Sequence, residues 1–159
     1  MSILGDYSLH FTMSDTNDPK KFGFLLERTF RITKLSFIKV FNKLGADITP
    51  DQWVLLDTLN NKGPLSQKEI SALSFKDAAT ISRIIDKLVA KNLVSKVSGQ
   101  IDKRKTTIKL TTEGKKLVER CQSEIDELRK HSWQNLDEED YENFQRIMNQ
   151  VFANFKAYK

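Results

Sequence analysis

The sequence predicts a mainly α protein with one small β-hairpin. Apolar residues recur three to five apart over most of the chain, which is the period of amphipathic helices. Short runs in which apolar residues interleave with Ser, Thr and Lys, the pattern of strands, stand out at 93–98 and 106–110. Helix-start signals, in which Ser, Thr or Asp precedes Pro, Gln or Glu at fixed offsets, punctuate the chain between the apolar runs.

Residues 1–17 show no sustained period and read as a loose N-terminal arm. Asp18-Pro19 starts a helix, since Asp accepts a backbone N–H and Pro suits the first helical position. Phe22, Leu25, Leu26, Phe30, Leu35, Ile38, Phe41 and Leu44 give that helix a broad apolar face, and Gly45 ends it. Thr49-Pro50-Asp51-Gln52 opens a second helix that buries Trp53, Leu55, Leu56 and Leu59. After the breaker Gly63-Pro64, Ser66 and Glu69 form a capping box for a short helix burying Ile70 and Leu73. Asp77 caps the next helix, whose aliphatic side is Ile81, Ile84, Ile85, Leu88 and Val89. The two alternating runs then pair as a hairpin, with a charged tip at residues 99–105. Thr111 or Thr112 caps a helix carrying Val118, Cys121, Ile125 and Leu128. Asp137 to Asp140 opens a last helix with a regular seam of Tyr141, Phe144, Met148, Val151, Phe155 and Tyr158. A seam that regular at a chain end calls for another helix to cover it.

With 159 residues, 39% hydrophobic and 30% charged, the chain fits one globular domain or two small lobes sharing a core. No apolar run is long enough to span a bilayer, and the first residues lack the basic start and apolar core of a signal peptide. A cytoplasmic location with no membrane partner is the default expectation. A single cysteine, Cys121, excludes an internal disulfide framework. His10 and His131 do not make a metal site by spacing, and no nucleophile–base pair or glycine-rich phosphate loop stands out. Neither catalytic residues nor cofactors are expected.

The net charge is +5, but it is unevenly placed. Residues 62–115 hold 12 Lys and Arg against 5 Asp and Glu, while the segments on either side are neutral or acidic. A local basic surface of this kind suits a polyanion. It coincides with residues 66–112, where the order helix, helix, strand, turn, strand is that of a winged helix-turn-helix. The helix capped by Asp77 is aliphatic on one side and carries Ala79, Thr80, Ser82, Arg83 and Lys87 on the other. Small residues let a helix approach base pairs, hydroxyls reach bases or phosphates, and Arg reads guanine. A solvated polar face is the bland alternative; the wing that follows favours DNA reading. Thr80, Ser82 and Arg83 are base-edge candidates and Lys87 a phosphate contact. Ser66, Gln67 and Lys96 join the candidate DNA-binding set. At the hairpin tip, Lys103, Arg104 and Lys105 suit phosphate or a narrow minor groove. An acid would repel DNA, so Asp102 is expected to orient Arg104 or another nearby cation.

The run Asp102-Lys103-Arg104-Lys105-Thr106-Thr107-Ile108-Lys109-Leu110-Thr111, followed by Thr112-Glu113-Gly114, resembles the wing of the MarR family of bacterial transcriptional regulators. Thr80 to Leu88 is similar to that family's DNA-reading helix, and Thr49 to Leu59 to its preceding core helix. Two departures stand out: Asn92 where the family often has glycine, and Lys96 where arginine is common. The resemblance covers residues 20 to 157. It implies a winged helix-turn-helix lobe at 49–111 and a lobe of N- and C-terminal dimerisation helices at 18–48 and 112–159. It further implies a homodimer on a pseudo-palindromic double-stranded DNA operator. The function implied is that of a repressor released by a small aromatic or phenolic effector. Two alternatives stay open: an oxidation-responsive regulator acting through Cys121, and a winged-helix module that binds a partner other than DNA. Cys121 lies on an apolar seam, so packing is favoured over redox chemistry. Trp53, Phe37 and Phe41 could line an effector cavity, although plain core is their commoner fate.

Overall fold

Local capping chemistry sets where the helices begin. The computed structural model describes residues 22–98 and 106–158. Helix α1 spans Phe22–Lys43 and ends before Gly45, whose φ of +60° favours a residue without Cβ. Helix α2, Pro50–Lys62, starts from Thr49, whose hydroxyl accepts from the Gln52 amide while the Gln52 side chain accepts from the Thr49 amide. Helix α3, Gln67–Ser74, repeats the device with Ser66 and Glu69. Helix α4, Ala78–Ala90, is capped by Asp77. Thr111 caps α5, Thr112–Ser132, and Asp137 forms a capping box with Asp140 at the start of α6, Glu138–Ala157. Each cap satisfies amides that the first helical turn leaves unpaired.

Among the described residues, three strands, not two, make the sheet. Strand β1 is Leu65–Ser66, β2 is Val94–Ser98 and β3 is Thr106–Leu110, in the antiparallel order β1-β3-β2. The hairpin register pairs Val94 with Leu110 and Ser98 with Thr106. The extra strand pairs Leu65 with Ile108. Two residues are too few to display alternation, and Ser66 serves at once as strand end and helix cap. The third strand anchors a hairpin that would be marginal alone.

The core is one cluster, in which Trp53, Leu55, Leu56 and Leu59 of α2 meet Ile70 of α3 and Ile81, Ile85 and Leu88 of α4. Ile108 of the sheet and Leu117, Val118, Cys121 and Ile125 of α5 complete it. Truncating a fully buried side chain such as Ile85 to Ala would cost about 2–5 kcal/mol. Phe41 and Trp53 pack ring to ring at 5.9 Å inside this cluster, so they are core rather than cavity wall. Some expected core positions are outside it. Leu73 and Val89 are exposed and Leu128 is half-buried, because α3 and α4 bury narrower stripes than the sequence suggested and the buried stripe of α5 runs from Gly114 to Ile125.

The long stripes on α1 and α6 are mostly uncovered. Only Phe41 of α1 is buried, and α6 buries nothing. Phe22 stacks on Phe155 across them at 5.8 Å, and Trp133 meets Tyr141 and Phe144 edge-on at the α5–α6 turn. Ion pairs tie α5 to its neighbours: Lys43 of α1 to Glu124 at 2.8 Å and Asp57 of α2 to Arg129 at 3.0 Å. Exposed pairs of this kind contribute at most about 1 kcal/mol each and mainly fix geometry. Among the described residues, no helix is long and apolar enough to cross a membrane.

Candidate nucleic-acid interface

The candidate surface is built on α4. Its aliphatic side, Ile81, Ile85 and Leu88, is sunk in the core, which fixes the rotation of the helix and turns Ala79, Arg83 and Lys87 to solvent. Arg83 and Lys87 are exposed, and their side chains make no ion pair or hydrogen bond among the described residues. Two cations one helical turn apart, backed by a rigid core, form a surface suited to a polyanion. Ser82 is half-buried beside them and its hydroxyl is likewise uncommitted.

Several other candidates already have partners in the fold. The Thr80 hydroxyl donates to Asp77 Oδ2 at 2.7 Å, while the Thr80 amide donates to Asp77 Oδ1 at 2.8 Å. These bonds hold the Asp77 carboxyl below its ordinary pKa. Ser66 donates its hydroxyl to Glu69 Oε2 at 2.7 Å, and that bond with the Ser66 amide lowers the Glu69 pKa in the same way. Gln67 Nε2 donates to the Ala78 carbonyl at 3.0 Å, joining the starts of α3 and α4. Ser66, Gln67 and Thr80 thus shape the turn that presents α4. Lys96 of β2 pairs with Asp86 of α4 at 2.8 Å and fastens the wing strand to the helix. Sequence reading missed Asp86, because nothing in a ten-residue separation marks it as a partner. Asp102, Lys103, Arg104 and Lys105 lie outside the described residues; Ser98 and Thr106 form the last described pair of the hairpin.

Cys121 is fully buried in α5. Burial raises its thiol pKa, against the opposing pull of the neighbouring Arg120. Among the described residues, no group of three or more His, Cys, Asp and Glu side chains could hold a metal ion.

A capped helix-turn-helix backed by a three-stranded wing and flanked by long helices is the architecture of winged-helix transcriptional regulators. Comparison with known proteins agrees. The MarR family model matches residues 48–106. The HTH-type transcriptional repressor IacR of Pseudomonas putida is 28% identical over 119 residues, 75% of this chain and 70% of the relative. Three further curated relatives are matched over 52–60% of their length. Among solved structures, a cysteine-to-serine mutant of Escherichia coli MarR complexed with operator DNA superposes with a TM-score of 0.73. It is 23% identical and covers 81% of this chain and 91% of its own. Bordetella bronchiseptica BpsR, described with the mechanism by which 6-hydroxynicotinic acid regulates its DNA binding, gives 0.72 at 21% identity, covering 89% and 96%. At these identities the structural likeness establishes the fold. The chain is thus similar to transcriptional regulators of the MarR type.

Proposed function

We propose that the chain is a homodimeric, sequence-specific DNA-binding regulator, and a repressor that a small aromatic or phenolic effector releases from its operator. The observation that carries the reading is α4: its aliphatic side is locked in the core and its outer side offers the uncommitted cations Arg83 and Lys87. In the major groove, Arg83 and Ser82 would meet base edges, with Ala79 allowing close approach and Thr80 fixing the helix start. Lys87 and Lys96 would meet phosphates, Lys96 by sharing its charge with Asp86. Ser66 and Gln67 would hold the turn near the backbone. The tip cations Lys103, Arg104 and Lys105 would reach the flanking backbone or minor groove, with Asp102 orienting Arg104.

Residues 49–111 would then be the DNA-binding lobe, and 18–48 with 112–159 the dimerisation lobe. The exposed aromatic stripes of α1 and α6 support a second copy of the chain as their cover. Such a dimer would span a pseudo-palindromic operator with half-sites about one helical turn apart. The repressor sign and the effector class rest on the names of IacR and BpsR. This reading places the protein in the cytoplasm. The buried, pKa-raised thiol of Cys121 weighs against release by oxidation.

Fluorescence anisotropy on duplex DNA, selected from random sequences and challenged with excess unrelated duplex, tests the proposal. Binding that survives the competitor and weakens steeply with salt is expected. Failure to select any duplex would leave a winged-helix module with a partner other than DNA.

A further inference from the structure

The turn between α3 and α4 holds a residue that local chemistry would not choose. Phe75 adopts φ 52° and ψ 31°, the left-handed region that suits Gly or Asn, and its side chain is 82% exposed. A left-handed residue is a common way for a helix to end, and Phe75 is the C-cap of α3; what is unusual is a phenylalanine at that position. Its side chain makes an aromatic contact. The Phe75 ring meets Phe152 of α6 edge-on, with centroids 5.5 Å apart and an interplanar angle of 70°. The next residue is tied as well. Lys76 Nζ lies 3.3 Å from Asp51 Oδ1, and Asp51 Oδ2 lies 3.7 Å from Lys34 of α1. Two adjacent turn residues therefore connect directly to α6, and through Asp51 of α2 to α1. Asp77, which follows, caps α4.

We propose that Phe75 is a positioning residue that fixes α4 at a set distance from the helical lobe and so determines the spacing of the two half-sites. The inference rests on the dimeric DNA-binding reading above. In a twofold dimer the separation of the two reading helices is set by how each helix-turn-helix sits on the shared lobe. The Phe75–Phe152 contact and the Lys76–Asp51–Lys34 bridge are links of that kind. A left-handed phenylalanine directs its ring at α6, where Gly or Asn would leave the turn unattached. Phe75 touches no base in this scheme; it acts through the placement of Arg83 and its neighbours.

The test uses the full chain on duplexes whose two half-sites, selected with the wild type, are moved apart or together by one or two base pairs. The wild type should prefer one spacer strongly. Phe75→Asn keeps a residue tolerant of the left-handed backbone and removes the ring. It should flatten the spacer preference by about 2- to 10-fold, the range expected of one aromatic pair. Phe152→Leu should flatten it similarly, the double variant no further, and Phe75→Tyr should keep the wild-type profile. Phe75→Asn lies outside the α1 and α6 helices, so it tests the contact even if Phe152→Leu disturbs the lobe. Unchanged spacer ratios in Phe75→Asn would overturn the proposal, as would an equal loss on every spacer, which is the mark of a direct DNA contact. Wild-type selection of no duplex, or of single half-sites only, would instead remove the dimeric DNA-binding reading and this inference with it.

Discussion

Gly114 lies directly against the backbone of Leu93. A Cβ placed on Gly114 would overlap the Leu93 carbonyl oxygen and come within 3.3 Å of Leu110 Cδ2. The same carbonyl accepts from the Thr111 amide at 3.1 Å, and the Thr111 hydroxyl donates to the Asn92 carbonyl at 2.6 Å. The first turn of α5 is thus clamped onto the start of the wing. Asn92 holds φ +55° there, a conformation Asn tolerates, so its substitution for glycine leaves the turn intact. The neighbour at Gly114 is backbone and cannot swing aside. Gly114→Ala should destabilise the fold by about 1–3 kcal/mol, the usual range for overpacking. Urea denaturation would measure it. An unchanged midpoint would mean that α5 and the wing can separate without cost.

Arg83 and Lys87 should fail in different ways. Arg83→Ala is expected to relax preference at one base pair of each half-site and to cost about 1–3 kcal/mol on the selected duplex. On unrelated duplex it should cost much less. Lys87→Ala should weaken both duplexes alike and reduce the slope of log affinity against log salt by about 0.9 per subunit. Anisotropy titrations at several salt concentrations separate the two. Equal losses on both duplexes from both variants would contradict this division of roles.

Helix starts were legible in the sequence because capping is local: Thr49 with Gln52, Ser66 with Glu69, and Asp77 each show within four residues what they do. The wing was legible through the alternation of β2 and β3. Strand β1 was hidden because its two residues owe their strand character to Ile108 and Thr107, some forty residues away. The apolar stripes of α1 and α6 could be read as faces, but a period does not say what covers a face. At the candidate interface, Thr80 and Gln67 look the same in a sequence whether they read bases or cap helices, since both tasks use the same polar groups. Lys96 is a similar case, with half its role set by Asp86 on another element. The backbone conformation of Phe75 left no local signal at all, because phenylalanine is not a residue that predicts a left-handed turn.

The caps of α3 and α4 should make the helix-turn-helix sensitive to acid. Glu69 and Asp77 both titrate below their ordinary values in the folded chain, because their carboxylates accept bonds from Ser66 and Thr80. In that range the unfolded chain binds more protons than the folded one. The stabilisation is therefore complete above the ordinary carboxylate values and is lost as pH falls through the lowered ones, below roughly pH 4. Asp77→Asn keeps a good cap and removes the titration. It should leave the melting temperature near neutrality almost unchanged and flatten its fall between about pH 5 and pH 3. Thermal melts across that interval decide the matter. A variant profile parallel to the wild type would show that Asp77 does not carry its share.

Cys121 should be chemically quiet in the folded state. It is fully buried between Val118 and Ile125, and burial raises its thiol pKa despite the nearby Arg120 guanidinium. A thiol with little thiolate and no access reacts only when the core opens. Its reaction with an aromatic disulfide reagent should therefore be slow under native conditions and accelerate in urea along with unfolding. Peroxide should leave DNA affinity unchanged in the wild type. Cys121→Ala should lose about 1 kcal/mol or somewhat more of stability by emptying a packed site, and nothing of its response to effector. Rapid native labelling, or peroxide release that the alanine variant abolishes, would restore the oxidation-responsive reading and require a motion that exposes α5.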